Sequence, residues 1–182
     1  MPSKPFHSDI STLRKQARMH TQQGAVTPGY AADRDTVVDL LNAALATELV
    51  CMLRYKRHHF MAQGINAKGI AAEFLEHANQ EQGHADLIAA RIVQLGGAPD
   101  FSPEGLVTRS HAEYVEGESL EEMIEENLVA ERIAIDSYGA MIRYLNHDDP
   151  TTRRMLEAIL ATEEAHADEL ATLQSDLMPV RR

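Results

Sequence analysis

The chain carries a single cysteine, Cys51, in 182 residues. One thiol rules out an intramolecular disulfide and any Cys-x-x-Cys zinc or rubredoxin-type iron site. Tryptophan is absent and aromatic residues make up only 5% of the chain, which suits a helical core of Ala, Leu, Ile and Met better than a sheet core. No eighteen apolar residues run together, and the opening MPSKPFHSDI has no apolar stretch of signal-peptide type. A cytoplasmic protein without a membrane span is therefore expected. Basic residues are the scarcer charge, 17 against 28 acidic ones, for a net charge of -11. That balance argues against a general nucleic-acid binder and favours the approach of cations. The rest is ordinary for one soluble domain with a sizeable core, at 44% hydrophobic and 25% charged residues.

What is present is a motif used twice. Glu81-Gln82-Gly83-His84-Ala85-Asp86 recurs as Glu163-Glu164-Ala165-His166-Ala167-Asp168. On a helix, Glu-x-x-His puts a carboxylate and an imidazole on one face. Glu48 lies 33 residues before Glu81 and Glu131 lies 32 before Glu163, and each is followed seven residues later by a tyrosine, Tyr55 or Tyr138. With nine histidines and seventeen glutamates, roughly one Glu-x-x-His is expected by chance, so one copy would mean little. Two copies, each preceded at near-equal distance by a glutamate in an apolar segment, form a specific pattern. One Glu from each of two helices and Glu-x-x-His from each of two others is the ligand set of a dinuclear carboxylate site in a four-helix bundle. Glu81 and Glu163 are expected to bridge the two ions, with Glu48 and Glu131 as terminal ligands and His84 and His166 as the nitrogen ligands. Four carboxylates against two divalent ions leave such a site near neutral, whereas the same four charges alone would be costly to bury.

The periodicity supplies the helices. Val37, Val38, Leu40, Leu41, Leu45, Leu49, Met52 and Leu53 recur at helical steps over 35 to about 63. A second helix is expected from about Asn66, as N-cap, to Leu95, stopped by Gly96-Gly97. Residues 98–117, with Pro99, Pro103, Gly105 and Gly117, read as a crossover without regular structure, long enough for the second and third helices to lie parallel. The third helix opens with the capping box Ser119 to Glu122 and runs to Asn146; the fourth opens at Asp149-Pro150 and ends near Met178-Pro179. Residues 1–34 read as an N-terminal extension with a short helix over 8–23 bearing Arg14, Lys15 and Arg18, and 35–182 as the bundle. The extension is expected to pack on a neighbouring subunit or bundle, with DNA contact as the alternative.

Other side chains carry less. Tyr55 and Tyr138 are expected either to hydrogen-bond ligand carboxylates or to pack in the core. His58 and His59 read as surface residues, and Glu76 with His77 as a solvated face or, in the alternative, an access route. The run Glu116, Glu118, Glu121, Glu122, Glu125 and Glu126 reads as a solvated helix start favoured by the helix dipole. Cys51 reads as a small apolar residue.

On these residues the chain resembles the ferritin-like superfamily, and within it bacterioferritin, over about residues 35–175. The carriers are Ala46-Thr47-Glu48-Leu49-Val50 with Tyr55, Glu81 to Asp86, Leu95-Gly96-Gly97-Ala98-Pro99, Leu128-Val129-Ala130-Glu131 and Glu163-Glu164-Ala165-His166. The resemblance implies an all-α bundle with a long crossover between its second and third helices. It implies a ferroxidase using Glu48, Glu81, His84, Glu131, Glu163, His166 and Tyr55, with about two iron ions per subunit and manganese or zinc as alternative occupants. Fe²⁺ would be oxidised by O₂ or H₂O₂ and stored as ferric mineral inside a homo-oligomeric shell built from dimers.

Three departures from that family stand out. Bacterioferritins place a haem-ligating methionine directly after the second-helix glutamate, where this chain has Gln82, so haem is not expected. The family's aspartates before the motif glutamates are replaced by Gln80 and Thr162, so the support of the imidazoles must differ. The chain ends at Arg182 without a fifth helix, which makes a Dps-like shell of about 12 subunits an alternative to one of about 24. Competing functions are a rubrerythrin-like di-iron peroxidase, manganese-based peroxide disproportionation, a DNA-protecting Dps-like shell and a metal-free structural bundle. Buried Glu48 and Glu131 would argue against the last.

Overall fold

The computed structural model describes residues 9–64 and 67–177. Four long helices carry the fold: α2 (Arg34–Met61), α3 (Ala67–Gln94), α5 (Leu120–Leu145) and α6 (Pro150–Leu177); α1 (Ile10–Gln16) and α4 (Leu106–Arg109) are short. No strand occurs among the described residues. Helix α2 packs chiefly on α3 and α5 on α6, so two helical hairpins face each other. The expected caps at Asn66 and Met178-Pro179, and the expected helix start at Ser8, lie outside the described residues.

The apolar side chains divide into two main clusters with a polar layer between them. Val37, Leu41 and Leu45 of α2 join Ile88 and Ile92 of α3, Leu145 of α5 and Leu156 of α6 in one. Tyr55 of α2, Ile70 and Phe74 of α3, Ile124 of α5 and Leu170 of α6 form the other. Along every long helix, the glutamate of interest sits between the residues that enter the two clusters. The order of the clusters along the chain also makes α3 and α5 parallel, so the connection between them must run the length of the bundle.

That connection is sewn to α2 by polar side chains. Asn42 donates to Ala98 O (3.2 Å) and accepts from Asp100 N (2.8 Å); Thr47 accepts from His111 N (3.0 Å); Arg54 donates to Glu113 O (2.8 Å); His58 Nε2 meets Glu116 O (3.0 Å). The crossover is not wholly irregular, as expected from its composition, because α4 forms a single turn in it. Leu106 packs against the first cluster, and Arg109 holds the turn by donating to Glu104 O and Ser102 O. His58 is buried rather than on the surface, because it closes the last of these stitches, and burial pushes its imidazole down to about 4. His59 is half-buried, against Ala71 O.

The helix ends obey local rules. Gly96, at φ 80°, ends α3 with Gly97 N donating to Ile92 O and Gly96 N to Val93 O, a Schellman closure. A β-carbon on Gly97 would stand 2.7 Å from Val38 Cγ1, so the hairpin closes only around glycine. Ser119 Oγ accepts from Glu122 N, but Glu122 reaches back to Glu118 N and not to Ser119 N. The acidic run around it is solvated except for half-buried Glu126. Helix α1 is shorter than expected and followed by a 3-10 turn at Thr21–Gln23. It buries no residue, so packing does not extend it.

By length and composition α2 could cross a membrane, with mean hydropathy 1.6 in its most apolar stretch, yet half of that stretch is buried inside the bundle. Glu48 and Arg54 are buried on it.

Asp149 joins the first hairpin, the second and the N-terminal segment. Its carboxylate accepts from Thr152 N (2.9 Å), from Arg91 Nη2 (2.9 and 3.1 Å) and from Tyr30 OH (2.8 Å), and it is 1% exposed. Asp149→Ala removes the α6 cap and leaves the Arg91 guanidinium buried without its carboxylate, which costs about 3 kcal/mol. Tyr30→Phe costs about 1 kcal/mol. Denaturant melts of the two variants should show that order.

Candidate metal centre

Glu48, Glu81, Glu131 and Glu163 are each 1% exposed and meet in the layer between the apolar clusters, together with His84 and His166 at 8% and 2%. Two overlapping sets form, each with its donor atoms within 4.8 Å of one another: Glu48, Glu81, His84 and Glu163, and Glu81, Glu131, Glu163 and His166. Glu81 and Glu163 belong to both. His84 Nδ1 lies 3.2 Å from Glu48, 3.4 Å from Glu81 and 2.9 Å from Glu163. His166 Nδ1 lies 3.5 Å from Glu81, 3.6 Å from Glu131 and 3.5 Å from Glu163.

These spacings, 2.9–3.6 Å, lie close to those of ligands sharing an ion, since donors about 2.1 Å from one metal stand roughly 3.0–3.4 Å apart. The hydrogen bonding agrees. His166 Nδ1, Glu81 Oε1 and Glu163 Oε1 are buried and make no hydrogen bond among the described residues, although Glu163 Oε1 is 2.9 Å from His84 Nδ1. Buried polar atoms that crowd together without bonding one another point at shared positions between them. The donor set, all carboxylate oxygen and imidazole nitrogen, suits iron, manganese or zinc.

Each outer carboxylate is held by a tyrosine from the opposite hairpin. Tyr55 of α2 donates to Glu131 of α5, and Tyr138 of α5 donates to Glu48 of α2. Burial raises both phenols well above their ordinary range, so they remain proton donors.

The imidazoles are supported unequally. Gln80 Oε1 accepts from His166 Nε2, which turns Nδ1 towards the carboxylates. His77 stacks on the same ring, with centroids 4.0 Å apart and planes 20° from parallel. On the other side Thr162 Oγ1 turns back to Ala158 O (3.4 Å), and among the described residues no hydrogen bond to His84 Nε2 occurs.

His77 was expected on a solvated face but is 1% exposed, with Nδ1 3.2 Å from Tyr55 OH and Nε2 2.9 Å from Glu169. Its neighbour Glu76 is exposed. The signal for His77 lay in the spacing: it precedes Glu81 by four residues and His84 by seven, on the same helical face. Gln82 is exposed and donates to Asp86. Cys51 is buried, its thiol pushed up by that burial, with Arg54 Nη2 at 3.8 Å.

A ferritin-like-domain family model matches residues 38–178. The chain belongs to the ferritin family. It is 30% identical over 140 residues to a bacterioferritin of Desulfovibrio desulfuricans, covering 76% of this chain and 74% of that protein. It is 31% identical over 140 residues to a nutrient stress-induced DNA-binding protein of Nostoc, covering 74% and 75%. Among solved structures it resembles a dodecameric thioferritin, the bacterioferritin-related protein of Bacteroides fragilis, with TM-score 0.78 and 31% identity over 81% of this chain and 89% of the other.

Proton binding follows from the crowding. Burial alone would push His84 and His166 down, but the glutamates around each pull them up to about 12. Burial, with Glu48 nearby, pushes Glu163 up to about 7. Imidazoles raised from 6.5 hold protons when folded that they lose when unfolded, so their stabilisation is complete below about pH 6.5 and lost as pH rises towards about 12. The thermal midpoint of metal-free protein should therefore fall between about pH 7 and pH 9. Protein loaded with Zn²⁺ should not show that fall, because metal replaces the protons. Parallel melts across that range, with and without zinc, check both signs.

Proposed function

We propose that this chain is the subunit of a cytoplasmic iron-storing shell, and that it oxidises Fe²⁺ at the carboxylate centre before the ferric product is deposited. The observation that carries this reading is the convergence of six donors, Glu48, Glu81, His84, Glu131, Glu163 and His166, into two overlapping sets in a dry layer. The relationship to bacterioferritin supports the storage reading, and the dodecameric relative supports a homo-oligomer. In this reading residues 35–182 form the functional bundle and residues 1–34 an extension to it.

Each residue then has a task. Glu81 and Glu163 would serve both ions, Glu48 and Glu131 would each hold one, and His84 and His166 would each offer Nδ1. Tyr55 and Tyr138 hold the outer carboxylates by donating to them. Gln80 keeps the His166 proton on Nε2, away from the metal side. Two Fe²⁺ held side by side supply the two electrons that reduce one O₂ or H₂O₂ to the peroxide or water level. The apolar clusters above and below exclude bulk water from this exchange. Gln82, a weakly basic amide bonded to Asp86, is not suited to haem ligation.

A second reading, a DNA-protecting shell, is favoured by the Nostoc relative and by the exposed α1 with Arg14 and Lys15 in its last turn.

Aerobic Fe²⁺ loading of metal-free protein, with iron counted after desalting, tests the proposal. Retention of many more than about two irons per subunit in a high-mass species is expected. A plateau near two would turn the function towards peroxide chemistry of the rubrerythrin kind, and no uptake would end the reading. Glu48→Ala and Glu131→Ala should each slow Fe²⁺ oxidation at least about tenfold while the fold persists. Wild-type rates in both would remove these residues from the site. Retarded DNA migration that disappears when Arg14, Lys15 and Arg18 are changed to Gln would establish the second reading.

A further inference from the structure

Beside the carboxylate centre a further set of donors converges. Glu73 and His77 of α3 and Glu169 of α6 bring one ligand atom each within 4.8 Å of one another. The His77 side chain is 1% exposed, whereas those of Glu73 and Glu169 are 37% and 52% exposed, so the set has a dry floor and an open mouth. His77 Nε2 stands 2.9 Å from Glu169 Oε2 and 3.9 Å from Glu73 Oε1. Ligands about 2.1 Å from a shared ion stand roughly 3.0–3.4 Å apart, a spacing these two distances bracket.

The hydrogen bonds of His77 decide which nitrogen faces the mouth. Tyr55 has one hydroxyl proton and gives it to Glu131. Its oxygen can then only accept from His77 Nδ1, 3.2 Å away. With Nδ1 as the donor, Nε2 of the neutral ring presents a bare lone pair to Glu169. A lone pair facing one carboxylate at 2.9 Å, with a second carboxylate close behind, is repulsive unless a proton or a metal ion lies among the three. The two carboxylates also oppose each other: burial and the adjoining Glu169 push the Glu73 carboxyl up.

We propose that Glu73, His77 and Glu169 form a third metal site, which binds one divalent cation of the Fe²⁺, Co²⁺ or Zn²⁺ class through one nitrogen and two carboxylates. The oxygen and imidazole donors suit these ions, and the exposed mouth leaves room for water to complete their coordination. The His77 ring lies flat on that of His166, and His77, Glu131 and His166 themselves bring donor atoms within 4.8 Å. An ion at the mouth is thus one ring away from the inner set. The site stands on its own geometry; its use as an inlet for Fe²⁺ rests on the ferroxidase reading.

Anaerobic Co²⁺ titration of metal-free protein in equilibrium dialysis tests the site. The wild-type chain should bind about three ions, and the double variant Glu73→Gln, Glu169→Gln about two. Both side chains reach solvent, Glu73 from a half-buried position, so the fold is retained, and helical circular dichroism checks it. A wild-type count of two, with a proton on Nε2 in place of the metal, overturns the proposal. So does a third ion that the double variant still binds. Glu48→Gln with Glu131→Gln separates the two readings: it should empty the inner positions and keep the ion that Glu73→Gln, Glu169→Gln loses. If the inner variant binds as many ions as wild type while the outer variant loses one, the dinuclear reading fails and the third site stands.

Discussion

Four carboxylates lie buried within one layer of this bundle, and most other features answer to that fact. Like charges at such range repel strongly at low dielectric, and desolvation adds to the penalty. The chain itself answers with protons and hydrogen bonds. His84 and His166 each stand among three glutamates, and Tyr55 and Tyr138 donate to the outer pair. Divalent cations would answer more completely, because they would supply charge where His166 Nδ1, Glu81 Oε1 and Glu163 Oε1 make no hydrogen bond among the described residues. The apolar clusters on either side make the arrangement possible by carrying the stability that the polar layer does not.

The same layer explains why the crossover is so heavily pinned. A long connection free of anchoring would admit water along α2, where Glu48 sits. Asn42, Thr47, Arg54 and His58 instead fasten it at successive turns. Arg54 has a further effect. It is buried and, among the described residues, has no carboxylate partner; Asn127 Oδ1 and Glu113 O hold it, and its positive charge acts on Tyr55 and Cys51 against the field of the glutamates. A guanidinium can serve here because it spreads its charge over several donors and binds carbonyls well.

Much of this was legible in the sequence, because helical periodicity and the doubled Glu-x-x-His both depend on spacing. The bundle, its parallel middle helices and the caps at Ser119, Asp149 and Gly96 follow from local chemistry that spacing encodes. His58 and His77 were misplaced because a histidine near charged residues reads equally as surface or interior. Only the partner decides: Glu116 O for one, Tyr55 and Glu169 for the other. Those partners lie 58, 22 and 92 residues away, beyond any local pattern. The α4 turn was missed for a related reason, since Leu106 forms it by docking on a core built from distant residues.

The duplicated motif suggests two equal halves, and the surroundings break that equality. Both hairpins give a glutamate, a Glu-x-x-His and a tyrosine. On the His166 side Gln80 fixes the ring tautomer and His77 covers its face. On the His84 side Thr162 bonds its own helix and the ring is left slightly exposed. A ring whose outer nitrogen is hydrogen-bonded and whose face is covered closely loses less freedom on binding a metal than one whose outer nitrogen has no such partner. A metal ion beside His166 would therefore meet a more preorganised imidazole than one beside His84. That inequality arises from residues 80 and 162, immediately before each motif glutamate, so the repeat is symmetric in its ligands and asymmetric in what orients them.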